Sequence, residues 1–327
     1  MIDMKAVVML SGGLDSILAV KLILDQRIDV VAVNFVSPFH ISKENEVEKI
    51  TKKFNIPLKT IKLGKNYLRW VRNPKYGYGK HMNPCIDCRI FMLKKAKAYA
   101  KKIGASFIFT GEVLNERPMT QTRHALDLIE KESGLKGKLL RPLSAKLLPK
   151  TQAEKKGWVD RTKLLDIRGR QRNRQIELAK KFKIKDYPHP GGGCLLTCKE
   201  FSVKVKDLFQ HKRRISIDDI NLLKMGRHFR FGKNKIIVGR NKTENEQLLK
   251  IKNKNDYFIE VPDCGSPITI LKGPKTKEAI KKAAALTARY SDSKEKTNLV
   301  YYGKEKLNKS ITISPLTIME IKNLRIS

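Results

Sequence analysis

The stretch Lys5-Ala6-Val7-Val8-Met9-Leu10-Ser11-Gly12-Gly13-Leu14-Asp15-Ser16 decides the fold. Ala6 to Leu10 is an unbroken apolar run, the pattern of a strand buried on both faces of a parallel sheet. Two glycines follow at once. Without side chains, Gly12 and Gly13 let backbone N–H groups converge on a phosphate. Ser11 and Ser16 add hydroxyls, and a helix beginning near Ser16 adds its positive end. Asp15 is out of place beside an anion unless it holds magnesium or orients the loop. The spacing is neither the Walker pattern nor the dinucleotide fingerprint.

Outward from this loop, strands and helices alternate. Helical periodicity covers 16–26, a second strand 30–35, a helix 44–54, a third strand 58–63, a basic amphipathic helix 86–103 and a fourth strand 107–110 ending at Gly111. This alternation predicts an α/β fold, a doubly wound parallel sheet whose ligands sit beyond the carboxyl ends of its strands. The Ser11 loop, Asn34 and Gly111 all fall at such ends and are the candidate nucleotide contacts. A first domain is expected over 1–200, closing shortly after the turn Tyr187-Pro188-His189-Pro190-Gly191-Gly192-Gly193. Helical connecting material is expected over 201–224. A second, smaller α+β domain then fills 225–327, with strands near 235–239, 257–261, 268–271 and 298–302 and a helix over 277–290. No internal repeat is visible.

Charge is the strongest compositional signal. The 327 residues carry 69 Lys and Arg against 32 Asp and Glu, a formal net charge of +37. A field of that size attracts polyanions, nucleic acid above all, although a membrane surface or a lysine-rich proteome would produce the same excess. Between Lys136 and Lys185 there are 17 basic residues and 4 acidic ones. At its centre lie Arg168, Arg170, Arg172 and Arg174, whose guanidinium groups suit phosphate contact and base stacking, and this run is the expected RNA-facing surface. No segment approaches the roughly 20 apolar residues of a membrane span. The start of the chain does not read as a signal peptide, so the expected location is the cytoplasm and no membrane partner is expected.

The cysteines are Cys85, Cys88, Cys194, Cys198 and Cys264. In a reducing compartment, an odd number with one close pair points to metal or sulfur chemistry rather than a disulfide framework. Cys85 and Cys88 open a helix, whose N-terminus favours thiolate, and thiolate serves either metal ligation or nucleophilic sulfur. Cys194 follows three glycines. Cys198 is expected to be a bystander, although it offers a fourth ligand that would close a cluster or a zinc site. Cys264 reads as a packed small side chain.

The loop resembles the SGG-x-DS signature of the PP-loop ATP pyrophosphatases. That resemblance implies ATP and Mg2+ as cofactors and adenylation of a carbonyl oxygen with release of pyrophosphate, with Ser11, Gly12, Gly13, Asp15 and Ser16 as the pyrophosphate site. The C-x-x-C pair with distant Cys194 is similar to the set in PP-loop tRNA thiolation enzymes, and residues 1–200 look like the catalytic domain shared by 4-thiouridine and 2-thiouridine synthetases. This implies tRNA as partner, with Cys85, Cys88 and Cys194 either holding a [4Fe–4S] cluster with one open iron or working by persulfide chemistry, fed by a sulfide or persulfide donor. By the same resemblance, Phe109-Thr110-Gly111-Glu112 with Arg117-Pro118-Met119-Thr120-Gln121 would form the loop that borders nucleotide and base. The loop starts too early to leave room for an N-terminal RNA-capture domain of the THUMP type, so another part is expected to bind RNA. Ile237-Val238-Gly239-Arg240-Asn241 with Glu244-Asn245-Glu246, Ala283-Ala284-Ala285-Leu286 with Tyr290-Ser291, and Val300-Tyr301-Tyr302 resemble the NFACT RNA-binding domain over residues 225–320. This implies Arg227, His228, Arg230, Arg240 and Asn241 as contacts, although Asn241 also suits a simple bend. Two readings stand beside uridine thiolation: a PP-loop enzyme acting on cytidine, and a non-catalytic RNA- or ribosome-binding protein.

Overall fold

The computed structural model describes residues 4–40, 44–185, 187 and 193–326. The chain divides into two compact units, Met1–Thr197 and Cys198–Ser327. Most of the turn expected at 187–193 lies outside the described residues.

The first unit holds β1 (Lys5–Met9), α1 (Leu14–Leu24), β2 (Asp29–Val36), α2 (Glu44–Lys53), β3 (Leu58–Lys62), α3 (Lys65–Arg72), α4 (Cys85–Lys102), β4 (Phe107–Thr110), α5 (Arg123–Ser133), β5 (Leu139–Leu140), α6 (Gln152–Lys155) and α7 (Asn173–Lys181). Among the described residues its strands form one parallel sheet of order β3-β2-β1-β4-β5. The side-chain period of two splits β1 between two cores. Ala6 and Val8 join Leu14, Ile17, Leu18, Val47 and Ala179 on one face. Val7 and Met9 join Ile90, Leu93, Ala96 and Ile129 on the other. The apolar run of β1 is therefore needed in full, since both faces are covered by helices.

Strand order decides where the site lies. From β1 the chain winds outward through β2 and β3, then crosses back to place β4 on the other side of β1. The crevice at that reversal receives the Ser11 loop from β1 and Gly111 from β4.

The second unit holds α8 (Lys199–His211), α9 (Ile217–Leu222), β6 (Arg227–Phe231), β7 (Asn234–Val238), α10 (Lys242–Ile251), β8 (Tyr257–Glu260), β9 (Thr269–Lys272), α11 (Lys277–Tyr290), β10 (Asn298–Gly303), β11 (Lys309–Ile313) and α12 (Ile318–Leu324). Its strands pair antiparallel in the order β11-β10-β8-β9-β7-β6. The alanine-rich face of α11 (Ala279, Ala283, Ala284 and Leu286) packs with Ile236, Val238 and Ile259. Ile237 and Ile270 point the other way, onto Leu222 and Leu248 of α9 and α10. The 201–224 segment, expected as connecting material, is largely α8 and α9 and belongs to this unit. Asp207 of α8 accepts two hydrogen bonds from Arg230, at 2.8 and 2.6 Å, and one from Lys235 at 3.0 Å. No described helix is long and apolar enough to cross a membrane.

One contact in the first unit leaves no space for a side chain. A Cβ on Gly111 would lie 2.4 Å from the Ser16 amide nitrogen and 2.5 Å from the Asp15 carbonyl carbon, both backbone atoms. Gly111→Ala must push β4 away from the first turn of α1, at a cost of about 1–3 kcal/mol. Thermal melting is expected to show that loss, and nucleotide titration a weaker site.

Candidate functional site

The phosphate loop is built by local geometry. Gly12 has φ +80°, a left-handed conformation open to glycine, and Gly13 is extended and caps α1. The Ser16 hydroxyl donates to the Gly13 carbonyl at 2.7 Å, and the Ser11 hydroxyl lies 3.4 Å from it. Ser11 is exposed at the mouth, and Asn34 is buried on β2.

Asp15, on the first turn of α1, faces residues from distant segments. Arg172 donates from Nη2 to its Oδ2 at 3.3 Å. The Nε of Arg172 stands 3.9 Å from Oε1 of Glu116, in the loop after β4. Burial raises the Asp15 carboxyl above its ordinary range, against the pull of Arg172 and Arg117. Burial and the charge of Asp15 push Glu116 up to about 7. Arg172 thus differs from its neighbours in the arginine run. Arg168, Arg170 and Arg174 are exposed, Arg174 pairing with Asp166 at 2.7 Å, whereas Arg172 is turned onto the phosphate-loop acid.

The three cysteines singled out by sequence lie near enough for the charges of Cys85 and Cys88 to act on Cys194, without forming one tight ligand group among the described residues. Cys85 and Cys88 occupy the first turn of α4, and Cys194 forms a β-bridge with His40, in the loop after β2. Burial pushes Cys88 up to about 11 despite a Tyr67 hydroxyl 3.0 Å from its sulfur and the Arg89 guanidinium. Cys194 is pushed up to about 12, by burial and then by the charges Cys88 and Cys85 would carry. Cys85 is raised as well, burial outweighing Arg89 and Arg117. At the start of α4, burial thus works against the thiolate that a helix N-terminus favours. Arg117 acts on both Asp15 and Cys85, so phosphate loop and thiols share one electrostatic neighbourhood.

None of these thiols is in a disulfide, and Cys198 and Cys264 are exposed. Among the described residues no three His, Cys, Asp or Glu side chains converge closely enough for a single metal ion. A cluster whose irons each take one thiolate asks for wider spacing, and an all-thiol donor set suits it.

Behind the site lies a buried charge network. Glu112 meets Arg89 at 3.1 Å and Arg141 at 3.0 Å, and Arg141 also pairs with Glu130. Burial alone would raise Glu112, but Arg89 and Arg141 hold it below the usual range. Asp87, between the two cysteines, accepts from the backbone N–H groups of Lys75 and Tyr76 at 2.8 and 3.1 Å. Tyr67, Asp87, Arg89, Glu116 and Gln175 were not legible as site residues, since no local motif marks them.

In the second unit the expected RNA contacts divide. Arg240 is half-exposed and pairs with Glu244. Arg227 lies over the Tyr290 ring, 4.6 Å from its centroid. Arg230 is held by Asp207, and His228 is buried with Nε2 2.7 Å from the Met225 carbonyl. Asn241 caps α10, its side chain accepting from the Glu244 N–H at 2.9 Å.

The described residues of the first unit thus form a doubly wound α/β fold with a glycine loop at its reversal point, the place where such sheets take their ligands. More narrowly, residues 2–147 match the family model of the thiamine biosynthesis protein ThiI, and residues 226–325 match the NFACT protein RNA binding domain. The first unit is thus similar to the ThiI family and the second to the NFACT RNA-binding domain. It is 30% identical over 148 residues to a protein of Thermococcus kodakarensis described as a probable tRNA sulfurtransferase. That match spans 42% of this chain but only 36% of the relative. Among solved structures, a 4-thiouridine synthetase–RNA complex with bound ATP is 23% identical, covering 67% of this chain and 52% of the other, with TM-score 0.38. The U34-tRNA thiolase NcsA of Methanococcus maripaludis with its [4Fe-4S] cluster is 16% identical, covering 68% and 72%, with TM-score 0.36. Likenesses of that size carry no argument about this chain.

The thiol shifts have a direct chemical readout. With iodoacetamide at pH 8, Cys198 and Cys264 are expected to be alkylated first in metal-free protein. Cys88 and Cys194 should react only as pH rises toward 11 and beyond, where their thiolates form. Mass spectrometry of peptides reads the order, and early labelling of Cys194 would contradict the burial account.

Proposed function

We propose that this protein is an ATP-dependent tRNA sulfurtransferase that converts a uridine carbonyl to a thiocarbonyl. The observation that carries the reading is the meeting of Cys85, Cys88 and Cys194 in one electrostatic neighbourhood with the phosphate-loop residue Asp15. The family matches at both ends of the chain and its basic charge support the same assignment.

The backbone N–H groups around Gly12 and Gly13, the Ser11 and Ser16 hydroxyls and the N-terminus of α1 would hold the pyrophosphate part of ATP. Asp15 would carry magnesium there. A uridine carbonyl oxygen attacks the α-phosphorus, the bond to the β-phosphate oxygen breaks, and pyrophosphate leaves. Hydrosulfide then attacks the activated carbon; its proton goes to solvent and AMP departs with the former carbonyl oxygen. Cys85, Cys88 and Cys194 would hold a [4Fe–4S] cluster, which when bound supplies an open iron for an exogenous sulfur. The chain's part is to desolvate the thiols, to position Cys88 through Tyr67, and to offset thiolate charge with Arg89. Because all three must lose protons on loading, iron uptake is expected to tighten as pH rises. RNA would reach the site along Arg168, Arg170 and Arg174, with the second unit, through Arg227 and Arg240, adding affinity.

The test is reconstitution: anaerobic protein, iron and sulfide, ATP, Mg2+ and unmodified tRNA, with nucleosides analysed by mass spectrometry. Wild type is expected to form one thionucleoside. Cys194→Ala should form none while still binding a non-hydrolysable ATP analogue with its affinity changed less than about threefold, a difference under about 1 kcal/mol. Full activity in that variant would remove the three-cysteine mechanism.

A further inference from the structure

Arg172 is the one guanidinium of the arginine run that leaves the surface for the phosphate loop. It sits between two carboxylates from separate parts of the sheet edge, Asp15 at 3.3 Å and Glu116 at 3.9 Å. Both contacts are incomplete. Oδ1 of Asp15 and Nε of Arg172, each buried, find no hydrogen-bond partner among the described residues. Beside Asp15 lies Gln175 of α7, 0% exposed, whose amide is near enough to favour the Asp15 carboxylate, yet neither of its polar atoms makes a hydrogen bond of full geometry among the described residues. Buried polar atoms without partners are costly and uncommon. Here four such atoms belong to Asp15, to Arg172 that pairs with it and to Gln175 beside it, next to the glycine loop. Such a set is satisfied by a ligand that brings positive charge to the carboxylates and negative charge to the guanidinium, which is the composition of a magnesium–polyphosphate.

Arg172 also connects the phosphate loop to the exposed arginines. The Gly169 N–H donates to the Leu114 carbonyl at 2.8 Å, and Arg168 forms a parallel β-bridge with Leu114. The run is therefore pinned by its backbone to the β4 loop that carries Glu116, and by Arg172 to Asp15. Arg168 and Arg170 stand exposed on the same short span.

We propose that Arg172 is a partner-exchanging clamp: it neutralises Asp15 and Glu116 in the empty site, and moves to the polyphosphate when a divalent cation takes its place on those carboxylates. The inference rests on the nucleotide reading of the loop. Its consequence is that nucleotide occupancy repositions residues 168–174, so nucleotide and RNA alter each other's affinity by equal factors. The exchange makes and breaks only ion pairs and hydrogen bonds.

The clamp makes a prediction of opposite sign for two ligands, which a merely structural role would not. The full chain, as wild type, Arg172→Lys and Arg172→Ala, is titrated with Mg2+·α,β-methylene-ATP by calorimetry. It is then titrated with Mn2+ alone, followed by the free-ion paramagnetic resonance signal, and melting curves check folding. Arg172→Ala is expected to bind the nucleotide roughly tenfold or more weaker, having lost a charge-assisted contact. The same variant is expected to bind Mn2+ alone more tightly than wild type, because the carboxylates have lost their counter-charge. Arg172→Lys, which keeps the charge without the fork, should fall between. Unchanged nucleotide affinity in Arg172→Ala, or Mn2+ affinity falling together with it, would overturn the clamp. Failure of wild type to bind nucleotide at all would instead overturn the nucleotide reading.

Discussion

The contact between Gly111 and the first turn of α1 is the constraint on which the first unit depends. It closes β4 onto the helix that follows the phosphate loop, at a separation that leaves no space for a methyl group. Everything after Gly111 inherits that position. Glu112, the next residue, gathers Arg89 and Arg141 in the interior. Arg89 follows Cys88 on α4, so the same carboxylate that anchors the β4 loop also fixes the start of the cysteine helix. Three residues beyond Glu112, the loop reaches Asn115 at φ +61° and then delivers Glu116 and Arg117 to Asp15. Phosphate loop, carboxylates and thiols are thus referenced to one close approach of backbone to backbone.

Charge burial is the second ordering principle. Arg141 is 2% and Glu112 3% exposed, an arrangement that survives desolvation only because each has more than one partner. The thiols show the converse. Without enough positive charge around them, burial leaves Cys88 and Cys194 protonated at neutral pH. Any chemistry that needs these thiols ionised must supply positive charge to offset that burial. In the second unit, Asp207 recruits Arg230 and Lys235 to join α8 to the β6–β7 hairpin, and burial lowers Lys235 to about 8. Basic residues in this chain are therefore of two kinds, those that face solvent and those that hold elements together.

The distinction explains what sequence did and did not reveal. The apolar run of β1 and the two glycines were legible because each requirement is local: burial on both faces, and backbone free to turn. The α11 helix, expected over 277–290, was legible to its ends. The strand β6, reading Arg227-His228-Phe229-Arg230-Phe231, was not bounded in advance, since its charged positions conceal a strand that Asp207 and the Met225 carbonyl make possible. Arg172 was read as surface because its neighbours in sequence are, yet its partner Asp15 lies 157 positions away. Local charge density carries no information about such a partner. The convergence of Cys194 with Cys85 and Cys88 depends likewise on topology, here the loop after β2 that pairs with residues 194 and 195.

The most direct test of the account is pyrophosphate exchange. Labelled pyrophosphate should enter ATP when the protein is incubated with Mg2+ and unmodified tRNA, because adenylation of a carbonyl oxygen is reversible before sulfur arrives. Exchange is expected to persist in Cys194→Ala and to be lost in Asp15→Asn. Exchange that fails with every RNA offered, from protein that binds ATP, would contradict adenylation as the chemistry of this site.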